Sequence, residues 1–139
     1  AVAEKILVID DEPEVVEAIA DLLRADGYDP ETSSDSVAAV KLFSAVAYDL
    51  VLSDIVMPGL TGLQLLSLIK ARIPSPEVIL VTGYSTRERA MEALEHGAFA
   101  YIEKPFDSAE LLERVKQALW KRKLNYLPAT TRLGNPSFS

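Results

Sequence analysis

Six residues that could do chemistry stand just past four short apolar runs. Ile6 to Ile9 leads into Asp10, Asp11 and Glu12, and Leu50 to Ser53 leads into Asp54. Val78 to Val81 leads into Thr82, and the run from Ala100 to Glu103 leads into Lys104. If these runs are parallel strands in the order 2-1-3-4-5, the acids ending the first and third become neighbours at the switch point. That is where open α/β sheets bind ligands, beyond the carboxyl ends of their strands. Carboxylates gathered there repel one another unless a cation lies among them. An all-oxygen set, with no His or Cys nearby, favours a hard ion such as Mg²⁺, with Mn²⁺ as a possible substitute. The plainer alternative is that Asp10, Asp11 and Glu12 only cap the helix that follows. A cap needs a single acid, however, and Asp54 follows a different strand.

A carboxylate at Asp54 could act as a nucleophile toward phosphorus. With a reference pKa of about 4 it is ionised near neutrality, so its attack on an anionic phosphoryl group needs charge compensation. Mg²⁺ and the Lys104 ammonium could supply it. The Thr82 hydroxyl could hydrogen-bond a phosphoryl oxygen. Taken singly, Thr82 is an ordinary strand end and Lys104 a solvated charge; together with the acids they form a set.

The elements that must position this set follow an alternation of apolar runs and amphipathic stretches, the pattern of a parallel sheet with crossover helices. The first strand is expected over 5–10. A helix from about Pro13 to Ala25 follows, with Val15, Val16, Ile19, Leu22 and Leu23 inward; Pro13 suits a first turn and Gly27 a stop. A second strand is expected over 29–33 and a helix over 36–46. After the third strand and the Pro58-Gly59 turn, Thr61 can cap a helix carrying Leu65, Leu66 and Ile69, which Pro74 and Pro76 end. The fourth strand is expected over 77–82. Ser85 with Glu88 then reads as a capping box for a helix to about His96, with Ala90, Ala93 and Leu94 as a light inner face. Gly97 closes it, and the fifth strand covers 100–103. Asp107 and Glu110 can cap the last helix, whose inner face is Leu111, Leu112, Val115, Ala118 and Leu119. One domain is expected over 1–123, and 124–139, with Pro128, Gly134 and Pro136, reads as a linker or loose tail of a chain that could be a fragment.

Composition fits one globular core: 139 residues, 49% hydrophobic and 25% charged. No apolar run approaches the length of a bilayer span. The absence of cysteine excludes disulfides and thiolate metal sites. With no basic and apolar leader in view, the expected location is the cytoplasm. The net charge of -7 argues against direct nucleic-acid binding by this segment. The basic cluster Lys116, Lys121, Arg122 and Lys123 suits a helix C-terminus, where cations complement the dipole, or a contact surface. His96 reads as a surface residue, and Trp120 falls off the inner stripe of its helix.

Four segments carry a resemblance: Ile9-Asp10-Asp11-Glu12, Ser53-Asp54-Ile55-Val56-Met57-Pro58-Gly59, Val81-Thr82-Gly83 and Glu103-Lys104-Pro105-Phe106. Their order and spacing resemble those of two-component response-regulator receivers over about residues 4–123. The resemblance implies a flavodoxin-like (βα)₅ three-layer sandwich that acts as a signalling switch, not as an enzyme with an external substrate. It implies phosphoryl transfer to Asp54 from a histidine kinase or phosphotransfer protein. It also implies Mg²⁺ held by Asp11, Asp54 and the Val56 backbone carbonyl, with Asp10 acting partly through water. Thr82 and Tyr101 become the switch pair, and the face of the fourth helix, fifth strand and fifth helix changes partners, an output domain or a second copy among them. Tyr101 could instead be only a half-buried strand aromatic. A cis Lys104-Pro105 bond is expected. Val56 and Tyr84 offer no carboxylate or amide to orient water, which implies slow loss of the phosphoryl group, whereas Gly83 leaves the site approachable.

Three rivals share some of this chemistry. A haloacid-dehalogenase-type phosphatase needs a second acid two residues after its nucleophile and then Gly-Thr; Glu12 after Asp10 fits only the first requirement. A flavodoxin needs a hydroxyl-rich phosphate loop where Asp10 to Glu14 would repel phosphate. A pseudo-receiver, a binding module that is never phosphorylated, is the stronger rival, although every charged site residue is present.

Overall fold

The computed structural model describes residues 4–54, 61–83 and 86–125. Within them five βα units follow one another: β1 (Ile6–Ile9), α1 (Pro13–Ala25), β2 (Glu31–Ser33), α2 (Ser36–Ala45), β3 (Leu50–Ser53), α3 (Gly62–Lys70), β4 (Glu77–Thr82), α4 (Arg87–Glu95), β5 (Ala100–Glu103) and α5 (Ser108–Asn125). All strand pairs are parallel, and their order is β2-β1-β3-β4-β5. Reversal of the strand order at β1 sets the ends of β1 and β3 side by side, as expected from the acids that follow them.

Alternation along the buried strands builds the two outer layers. Ile6 and Val8, Leu50 and Leu52, and Ile79 and Val81 meet Val16, Ile19 and Leu23 of α1 and Leu111, Val115, Ala118 and Leu119 of α5. The intervening Leu7 and Ile9, Val51, and Val78 and Leu80 meet α2, α3 and α4 through residues such as Phe43, Leu65 and Ala93. The sheet is apolar on both faces because helices cover both.

Several boundaries depart from expectation for local reasons. The second strand begins at Glu31, not at Asp29, because Pro30 has no amide hydrogen for the ladder. Helix α2 ends one residue early, at Ala45. Helix α4 is capped by Thr86, whose side chain accepts from the Arg89 amide at 3.1 Å; Ser85 lies outside the described residues. Leu94, expected inward, is 49% exposed, and Ala93 is the buried residue of α4. The helix is therefore held more lightly than its sequence suggests, as suits an element that moves.

The last helix continues to Asn125. Its end is fixed by charges distant in sequence. Lys121 Nζ lies 3.6 Å from Glu77 and 5.6 Å from the Phe99 ring centroid, and Arg122 lies 3.8 Å from Asp49. Lys116 reaches Asp26 at 3.8 Å. Trp120 and His96 are exposed, as expected.

Candidate functional site

Asp10, Asp54 and Lys104 lie at the carboxyl edge of the sheet, each just past a strand yet still tied to the neighbouring one. The Asp10 amide donates to the Ser33 carbonyl at 3.1 Å, the Asp54 amide to Ile9 at 3.1 Å, and the Lys104 amide to Thr82 at 2.9 Å. Strand register thus fixes where each side chain starts. Lys104 Nζ then donates to Asp10 Oδ2 at 2.6 Å and to Asp54 Oδ2 at 3.0 Å. Glu12 Oε1 stands 3.9 Å from the same ammonium. Four residues separated by up to 94 positions therefore form one ion cluster. Asp10 is 1% exposed and Asp54 3%, while the Lys104 side chain keeps 16%. The Lys104-Pro105 bond is cis, as the resemblance implied.

Burial sets the electrostatics. It pushes the Asp10 carboxyl above its ordinary range, assisted by repulsion from Asp54, and hydrogen bonds from Lys104 and from the Glu12 amide offset this only in part. At Lys104 burial pulls the ammonium down, but the hydrogen bonds and charges of Asp10 and Asp54 outweigh it and raise the group above its ordinary value. The deeper partner is governed by desolvation and the shallower one by pairing. Lys104 is thus a firmly protonated cation aimed at Asp54.

Carboxylate oxygens of Asp10, Asp11 and Glu12 lie within 4.8 Å of one another, with Asp11 and Glu12 open to solvent. This donor set fits a hard divalent ion that keeps part of its water shell. Glu12 belongs to the group, as the clustering of acids in the sequence suggested, although the ligand set implied by the resemblance did not include it. Asp54 joins the acids through Lys104. Val56, whose carbonyl was expected to complete the set, lies outside the described residues, as do Met57, the Pro58-Gly59 turn and Tyr84.

On the opposite face, Thr82 continues the alternation of Val78 and Leu80 and is fully buried. Leu80 pairs with Tyr101, so Thr82 and Tyr101 share the sheet face covered by α4. Tyr101 packs, partly buried, against that layer. The two residues expected to form a switch are thus neighbours beneath the lightly held helix. Gly83 lies beside the cluster, and among the described residues a Cβ there would meet only Lys104 Cβ, at 4.0 Å.

Ser53 opens the second motif segment, with no role implied there. It is buried, and its hydroxyl donates to the Asp54 carbonyl at 2.9 Å. A polar residue ending an otherwise apolar strand was the available signal.

The family model described as response regulator receiver domain matches residues 6–116. The response regulator FleR of Pseudomonas aeruginosa is 36% identical over 132 residues, which is 95% of this chain and 27% of that protein. The chain spans about a quarter of the length of the curated relatives it matches. A receiver domain crystal structure from Clostridium thermocellum superposes with a TM-score of 0.81 at 36% identity, covering 87% of this chain and 98% of that one. The solution structure of the beryllofluoride-activated NtrC4 receiver domain dimer gives a TM-score of 0.80 at 29% identity, covering 85% and 98%.

Proposed function

The chain belongs to the response regulator receiver domain family, and from that premise we propose that Asp54 is its phosphoacceptor, charged by a histidine kinase or phosphotransfer protein. The observation that carries this reading is the buried ion cluster: Lys104 bonded to both Asp10 and Asp54. A buried carboxylate with a fixed cation at hydrogen-bond distance is prepared to attack an anion. In the transfer, an Asp54 carboxylate oxygen forms a bond to phosphorus while the bond from phosphorus to the donor's leaving group breaks, and the electron pair departs with that group. Lys104 holds one Asp54 oxygen and balances the charge arriving beside it. Asp10, Asp11 and the Val56 carbonyl, with Asp54, would hold Mg²⁺ (or Mn²⁺), which supplies further charge neutralisation at the phosphoryl oxygens. Glu12 stands close enough to orient its waters.

Phosphorylation then biases one of two packings of the α4 side. The Thr82 hydroxyl is drawn to the phosphoryl group, Tyr101 follows inward, and the α4-β5-α5 surface changes what it binds. Exposed Met91 and Leu94 on α4, and Trp120 on α5, give that surface apolar contacts for a second copy or an output domain. No helix among the described residues is long and apolar enough to cross a membrane; a cytoplasmic location, with the receiver running through α5 to Asn125 and a linker beyond, completes the proposal.

Incubation with acetyl phosphate and Mg²⁺, followed by intact mass, tests the reading. The wild-type chain gains a single phosphoryl group; Asp54→Asn and an EDTA control gain none. A wild-type chain that never gains it, under any donor, is the behaviour of a pseudo-receiver. Lifetime offers a second expectation. Val56 has no polar side-chain group to orient water, so Val56→Asn shortens the acyl phosphate by about tenfold, less than the roughly hundredfold or more of a full general base because an amide orients water without taking its proton. An unchanged decay in the mass time course removes Val56 as the cause of persistence.

A further inference from the structure

We infer that Ser53 is a positioning residue for the phosphoacceptor, clamping the Asp54 backbone so that its carboxylate meets the divalent cation in a fixed direction; this rests on the role of Asp54 proposed above. Ser53 is 2% exposed and ends β3, paired with Ile9 on one side and Leu80 on the other. Its side chain shares the alternation of Val51, so it faces the α2 to α4 layer, whereas Leu52 faces α1 and α5. A buried hydroxyl costs free energy unless it is hydrogen-bonded. An apolar residue would fill this place in the layer as well, so packing alone does not account for a serine.

The hydroxyl donates to the carbonyl of Asp54 at 2.9 Å, while the amide of the same residue donates to Ile9 at 3.1 Å. Residue 54 is therefore held at both of its backbone polar groups, one by the neighbouring strand and one by Ser53. A peptide chain has only two soft dihedrals per residue. Fixing the amide and the carbonyl restricts both, and with them the direction of the carboxylate. Lys104 restrains the carboxylate from the front, and Ser53 restrains the backbone from behind. Loss of the hydroxyl leaves every charged group of the site in place, so its effect falls on cation geometry more than on charge.

The test compares wild type, Ser53→Ala and Ser53→Thr, the last keeping the hydroxyl. Mg²⁺ binding is measured by calorimetry without any phosphodonor, and phosphorylation by acetyl phosphate is measured as a function of Mg²⁺. Ser53→Ala weakens Mg²⁺ about tenfold, the lower end for loss of an outer support. The half-saturating Mg²⁺ shifts in parallel, and the rate at saturating Mg²⁺ changes far less. Ser53→Thr binds as wild type does. Equal Mg²⁺ affinity in Ser53→Ala and wild type overturns the inference, and so does an equal loss in both variants, which is a packing effect. Failure of the wild-type chain to accept phosphate strikes the assignment of Asp54 instead, and calorimetry still decides the clamp.

Discussion

Replacing Lys104 by Met lowers the rate of Asp54 phosphorylation at saturating Mg²⁺ by about a hundredfold, the scale for removing one fixed group that stabilises transition-state charge. The geometry gives the reason: one ammonium serves both buried carboxylates, at 2.6 and 3.0 Å. The same substitution destabilises the metal-free protein by about 3 kcal/mol, because one partner of a buried ion cluster is removed and the other charges stay. Burial, with repulsion from Asp54 added, already raises Asp10, and without Lys104 only the Glu12 amide opposes it. Mg²⁺ therefore recovers much of the lost stability in Lys104→Met, whereas the rate stays low. Thermal unfolding with and without Mg²⁺, beside the phosphorylation time course, separates the two effects. A variant that phosphorylates at the wild-type rate contradicts the role given to Lys104.

The pH dependence of this cluster is one-sided. Lys104 is raised above its ordinary 10.5, so its stabilising contribution is fully present below 10.5 and is lost only as pH rises through its higher folded value. Asp10 is raised above 3.8, so the folded state holds that proton more tightly than the unfolded chain does. Acidification from above the folded value down to 3.8 therefore adds stability at Asp10, and its ionisation near neutrality costs stability.

It follows that Asp10→Asn raises the melting temperature of the metal-free protein at pH 7 and removes the acid-side gain. Asn keeps an oxygen for the Glu12 amide, now accepted at 2.9 Å, and no longer carries a buried charge. The same variant weakens Mg²⁺ by about ten- to a hundredfold, the range for a lost supporting group at a metal site. Stability and metal affinity thus move in opposite directions from one substitution. A variant less stable than wild type at pH 7 would show that Lys104 more than offsets the desolvation of Asp10.

Much of the fold was legible because parallel strands buried on both faces are nearly continuous apolar runs. The limits of β4 and β5 fell where Val78 to Val81 and Ala100 to Glu103 placed them. The convergence of Asp10, Asp54 and Lys104 was legible for a related reason: in a parallel sheet every strand end points to one edge, so residues just past the strands collect there. What failed to show depended on contacts between distant positions. The final turn of α5 is held by Glu77, Phe99 and Asp49, none of which its own periodicity encodes. Leu94 could not be told from an inward residue on a helix whose buried contact is one alanine. Glu12 was legible as one of three clustered acids, but its place beside Asp10 and Asp11, outside the ligand set the resemblance implied, was a matter of side-chain geometry. Ser53 carried no role in the sequence, since a hydroxyl's partner is decided by geometry of about an ångström's tolerance.

The claim on which all of this turns is that the acyl phosphate forms at residue 54. The measurement is to phosphorylate the chain with acetyl phosphate and Mg²⁺, reduce with borohydride, and map the peptides by tandem mass spectrometry. Reduction of an aspartyl phosphate leaves homoserine, and the account predicts it at position 54 alone. Homoserine at Asp10 or Asp11 instead, with Asp54 intact, would contradict it.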